Sequence, residues 1–147
     1  MPNESTEAYQ WALCEFKKVG VNPPIMVIDR SDGLNATAKL VYPTMPTLLC
    51  IWHINKRILA NCKRMFTTKE GWDSFYTAWQ NLIQSPTPKI FEDCWLQFTS
   101  DYDHGSTEYC IDYIKDEWIK AGQIERLVTA WTNQYQHFDT TVTSRYI

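Results

Sequence analysis

The spacing of apolar and polar positions divides this chain into two sections of different character. Near the start, Tyr9, Ala12, Leu13 and Phe16 recur at helical intervals behind Ser5 and Thr6, either of which can cap the first turn. This predicts a helix to about Lys18, ended by Gly20 and the Pro23-Pro24 pair. Ile25, Met26, Val27 and Ile28 then form an apolar run too short for a helix, which predicts a strand buried on both faces. Asp29 stands at its carboxyl end. Asp32 is placed to cap a second helix through Leu34, Ala38 and Val41, stopping near Pro43. The run from Thr47 to Cys50 predicts a second strand. From Trp52 onward the pattern is helical throughout. Predicted helices cover His53 to Phe66, Trp72 to Ile83, Phe91 to Phe98 and Glu108 to Ile119. A last one carries Ile124, Leu127, Val128, Trp131 and Tyr135. Residues 140–147 are polar and read as a loose tail.

The predicted fold class is therefore α/β in the first section and all-helical in the second, mostly α overall. Two strands buried on both faces need neighbours along their edges, and the pattern predicts no others. The α/β section is expected to be part of a larger sheet, to expose an unpaired strand edge, and to self-associate.

Composition narrows the classes. An aromatic share of 14%, with seven Trp at mostly helical spacing, points to aromatic helix packing, and Trp72, Phe75, Trp79, Trp95, Phe98, Trp118 and Trp131 are the predicted core of the helical section. A formal charge of −3 gives no global attraction for nucleic acid, which leaves only local basic patches for that purpose. No apolar run approaches membrane-spanning length, and the polar, acidic start does not resemble a signal peptide. Five scattered Cys then read as reduced thiols of an intracellular protein.

Three features bear on chemistry. Asp29 follows a buried strand, where open α/β sheets place their sites and where a carboxylate suits a hard cation such as Mg²⁺. The competing structural reading is a turn or cap residue, a role that Asp32 also contends for. Cys50 and His53 form a C-x-x-H pair at a strand-to-helix turn. Both suit Zn²⁺, but a closed site wants four ligands, and the spacing of Cys62, Cys94, Cys110, His104 and His137 selects no further pair. Lys56, Arg57, Lys63 and Arg64 recur seven apart as a basic stripe on a predicted helix, able to contact DNA phosphates or to serve simply as a solvated face. No phosphate-binding glycine loop or nucleophile elbow is present.

These residues carry a resemblance. Leu49-Cys50-Ile51-Trp52-His53-Ile54-Asn55-Lys56, continuing through Leu59-Ala60-Asn61-Cys62, is similar to a characteristic segment of Mutator-like (MULE) transposases, especially fungal ones. Val27-Ile28-Asp29-Arg30, the stretch from Trp72 to Ser85, Ala130-Trp131-Thr132 and Thr143-Ser144-Arg145 resemble further segments in the same order. The resemblance implies a ribonuclease H-like core with a D-D-E triad and two Mg²⁺ ions, acting on transposon-end DNA in the nucleus. Asp29 takes the place of the second triad Asp, and Cys50 and His53 that of the family's C-x-x-H feature. On this basis residues 1–52 are a partial ribonuclease H-like core, 53–138 a helical insertion, and 139–147 a tail cut before the last catalytic helix. The first triad Asp belongs upstream of Met1, and the Glu belongs at the position of Ile147. With one carboxylate of three, the chain is expected to hold no Mg²⁺ productively and to be inactive alone. The alternatives are a domesticated DNA- or protein-binding module, like the plant far-red response regulators that resemble this family, and a helical scaffold protein.

Overall fold

The protein is described here by a computed structural model over residues 5–135. It is mostly helical, with one small sheet, and divides into two compact units that meet in sequence between Cys50 and Ile51.

In the first unit, helix α1 (Thr6–Lys18) starts where Ser5 Oγ accepts the Ala8 N–H. It ends on Gly20, whose φ of 83° is open to glycine at little cost. The N–H groups of Gly20 and Val21 return to the carbonyls of Lys17 and Phe16, satisfying the helix end in a Schellman arrangement. Strand β1 (Met26–Ile28), helix α2 (Asp32–Val41) and strand β2 (Thr47–Leu49) follow. The strands pair in parallel, Ile28 opposite Leu49. Leu13, Ala38, Val41 and Tyr42 form the core, with Cys14, Met26, Leu34 and Met45 packed against it. Helices α1 and α2 approach closely at Gly33, where a Cβ would lie 2.8 Å from Thr6 Oγ1. Two hydrogen bonds pin the far end: Lys17 Nζ donates to the Val41 carbonyl and Tyr42 Oη to that of Val21.

Burial departs from expectation at two places. Leu48 and Leu49 are both buried, so β2 is covered on both faces, whereas Met26 and Val27 of β1 are only half-buried. Phe16 is 53% exposed, because α1 turns only Leu13 fully onto α2.

The second unit contains α3 (Ile51–Cys62), α4 (Lys69–Ile83), α5 (Pro88–Tyr102), α6 (Glu108–Ile114) and the short α7 (Thr129–Thr132), with no strand among its described residues. Thr68 and Thr87 cap α4 and α5, and Pro88 occupies the first turn of α5, where its missing N–H costs nothing. Helix α3 buries Ile51, Ile54, Ile58 and Cys62 along one stripe. Phe75 is the aromatic centre, with ring centroids of Phe66, Phe98 and Tyr102 at 4.9, 5.2 and 5.0 Å. Asn55 ties α3 to α4 by accepting from Trp79 Nε1 at 3.0 Å and Gln80 Nε2 at 3.1 Å.

Trp72, Phe75, Trp79, Phe98 and Trp118 are buried as expected. Trp95 and Trp131 are half-buried; Trp131 covers Phe91 edge-on at 5.6 Å from the side of the bundle. The predicted last helix is broken, with a 3₁₀ turn at Ile124–Arg126 and α7 beginning only at Thr129. The extended backbone of Val128 interrupts it and leaves Leu127 and Val128 buried. Helix α6 widens into a π turn over Lys115–Ile119, which carries Trp118 inward, and it closes on Gly122.

Phe75→Ala is predicted to cost about 3–5 kcal/mol of unfolding free energy, whereas Leu96→Ala, on a 67% exposed residue, should stay within about 0.5 kcal/mol. Urea denaturation of the two variants measures the contrast.

Candidate functional site

Parallel pairing brings the ends of β1 and β2 to the same edge. The Cys50 N–H donates to the Ile28 carbonyl at 2.9 Å, so the pairing runs to the last residue of each strand. Asp29 and Cys50 are the next residues out, one from each strand, at the carboxyl edge of the sheet. Asp29 is half-buried, with its Oδ1 shielded from solvent.

The turn after Asp29 is held by residues that the sequence pattern did not single out. Ser31, not Asp32, caps α2: its Oγ accepts the Leu34 N–H, and its backbone is extended. Asp32 is the first helical residue and exposed, where its charge still favours the helix N-terminus. Asn35 reaches back one turn, donating through Nδ2 to the carbonyls of Ser31 at 2.7 Å and Asp29 at 3.4 Å. An Asn four residues after a Ser cap is the signal that was available for this contact.

Cys50 is a half-buried free thiol. His53 belongs to the second unit, in the first turn of α3, with its ring edge-on to Trp52 at 4.8 Å. Among the described residues, no three His, Cys, Asp or Glu side chains come together in a way that could hold a metal ion. Asp29 by itself offers a hard cation one carboxylate, and of the four ligands that zinc would need Cys50 belongs to the first unit and His53 to the second. Among the described residues the donors therefore make neither centre.

The basic residues lie on α3 and the 3₁₀ turn Lys63–Met65 that follows it. The break at Cys62 means that Lys63 and Arg64 do not continue the α-helical stripe of Lys56 and Arg57. From Ile51 to Thr68 there are four Lys and Arg and no acidic residue, whereas residues 69–135 carry five against eleven Asp and Glu. Several lysines of that later stretch are neutralised by aspartates, as in Lys69–Asp73, Lys89–Asp93 and Lys115–Asp103. Lys56 instead lies over the half-exposed Trp52 ring at 3.8 Å, an arrangement that keeps its charge outward. Lys63 is exposed, Arg57 is half-buried, and Arg64 stacks on Tyr109 while donating to its hydroxyl at 3.2 Å.

Residues 1–57 match the family described as MULE transposase domain. That match supports a MULE transposase relationship for this part of the chain. It takes in the whole first unit as far as β2, including Asp29 and Cys50, and runs into α3 through His53, Lys56 and Arg57. Lys63 and Arg64 lie beyond it. No curated protein matches the chain. His137 and the segment Thr143-Ser144-Arg145 lie outside the described residues.

Ser31→Ala is predicted to lower stability by about 1 kcal/mol, and Asp32→Ala by less than about half of that, because only the first removes a cap acceptor. Chemical denaturation of both variants distinguishes the two assignments.

Proposed function

We propose that this chain is a portion of the catalytic region of a MULE-type DDE transposase, of the fungal type, in which Asp29 is one carboxylate of the triad. The single observation that carries the reading is the position of Asp29 at the carboxyl end of a parallel strand, within the stretch that matches the MULE transposase domain. On this reading the β1–α2–β2 unit is part of a ribonuclease H-like core, and the protein works on DNA in the nucleus.

Phosphoryl transfer by paired metals needs ligands on both sides of the reacting phosphate. Asp29 supplies one. Asp32 is exposed in the first turn of α2, and Asp101 is engaged by Gln97 Nε2 within α5 of the other unit. The chain alone therefore binds DNA without cutting it. Binding is assigned to the acid-free stretch from α3 through the 3₁₀ turn, with Lys56, Arg57, Lys63 and Arg64 as the cations that would contact phosphates. Its charge contrast with the acidic remainder of the second unit favours DNA contact there over a generic solvated face.

The test is duplex DNA binding across a salt series, with nicking assayed in Mg²⁺ and Mn²⁺. Four phosphate contacts predict a slope of log K against log salt of about −3.6, and Lys56→Ala and Lys63→Ala should each reduce its magnitude by about 1. No nicking is expected. Nicking that Asp29→Ala abolishes would overturn the claim of inactivity, and a salt-independent or undetectable interaction would overturn the assignment of the DNA surface.

A further inference from the structure

Two fully buried thiols lie where α3 packs on α6. Cys62 closes α3 and Cys110 lies near the start of α6, and both residues are 0% exposed. Cys110 Sγ stands 3.8 Å from the Cys62 carbonyl oxygen, within the contact between α3 and α6. Cys14, Cys50 and Cys94, by contrast, are half-buried. We propose that Cys62 and Cys110 are a redox-active dithiol, which a peroxide-class oxidant converts to an intramolecular disulfide clamping α3 to α6.

The environment makes the two thiols unequal. Hydrogen bonding to Cys110, reinforced by burial, pushes the Cys62 thiol well above the ordinary thiol range. The same hydrogen bond, with the Arg64 guanidinium acting in the same direction, draws Cys110 below it. With the Arg64 guanidinium held against Tyr109, the residue before it, Cys110 is assigned as the nucleophile and Cys62 as the resolving thiol. The Cys110 thiolate attacks one peroxide oxygen; the O–O bond breaks and the departing hydroxide takes up a proton as water, leaving a sulfenic acid on Cys110. Cys62 then gives up its proton and attacks the Cys110 sulfur. The S–O bond breaks, a second water leaves, and the S–S bond forms. Two thiols are oxidised by two electrons in all, and one hydrogen peroxide is reduced to two waters.

Both thiols are fully buried, so the reaction requires local opening, and the end of α3 is where the proposal places it. There the α-helix gives way to the 3₁₀ turn Lys63–Met65, whose hydrogen bonding is weaker, and the link from Ser106 Oγ to the Met65 carbonyl is long at 3.4 Å. The disulfide would join residues 48 apart, across both α4 and α5, and would restrict the unfolded chain over that length.

The experiment treats the reduced full chain with hydrogen peroxide, alkylates it under denaturing conditions, and maps linkages by non-reducing peptide mass spectrometry. In the folded chain Cys62–Cys110 should be the main intramolecular linkage. It should raise the thermal midpoint by several degrees, reversibly with a phosphine reductant. In urea the linkage should lose its dominance as all five thiols compete. Cys62→Ala should trap Cys110 as the sulfenic acid, detectable with dimedone. The proposal fails if Cys62 and Cys110 both remain alkylatable after treatment of the wild-type chain, or if Cys110 proceeds to the sulfinic acid without linking to Cys62. The two wild-type readouts do not depend on the variant folding.

Discussion

The arrangement around Asp29 depends on one short parallel pairing. Two strands of three residues each carry only a few ladder bonds, and pairs of this size are marginal by themselves. What holds them is the packing of α1 and α2 through Leu13, Ala38 and Val41, with Met26 of β1 and Met45 ahead of β2 set against that core. The pairing in turn sets the register. A slip of one residue would reverse which side chains of β2 face each side of the sheet and would remove Asp29 from its place beside Cys50. The chemical interest of the first unit thus rests on apolar contacts made by residues with no chemistry of their own.

The second unit is built differently. Its stability comes from aromatic rings around Phe75 and from the apolar faces of α3, α4 and α6, and Asn55 of α3 is tied across to Trp79 and Gln80 of α4. This frees the outer surface to be strongly polarised. Acidic residues dominate from α4 onward, several locked to lysines one turn away, while α3 and the turn after it carry cations alone. A chain with a net charge of −3 can therefore still present a basic surface.

Much of the secondary structure was legible in the sequence, because periods of 3.6 and short β-rich runs are strong signals when caps and prolines bound them. α1, β1, β2, α4 and α5 fall where the patterns of Leu13, Ile28, Leu48, Phe75 and Phe98 place them. The misses have specific causes. Ser31 and Asp32 are both good caps, and composition cannot choose between neighbours; backbone geometry did. The run from Ile124 to Trp131 has helical spacing, but burying Leu127 and Val128 together required an extended residue between two short helical turns. The seven-residue recurrence of Lys56 and Lys63 reads as one stripe only if the helix continues, and it ends at Cys62. Of the candidate site, the placement of Asp29 and Cys50 at strand ends was legible, whereas the support from Asn35 was not, since it depends on a turn geometry that periodicity does not encode.

The central claim is that β1 and β2 pair in parallel and so carry Asp29 to the sheet's carboxyl edge. Amide hydrogen exchange followed by NMR tests it most directly, because the N–H groups of Met26 and Cys50 donate across or beside that pairing, to the carbonyls of Pro46 and Ile28. The account predicts that both amides are protected well beyond the neighbouring exposed residues Asn22 and Thr44, and that Ile28 and Asp29 give cross-strand contacts to Cys50. Exchange of the Cys50 amide at the rate of an unstructured peptide would contradict it.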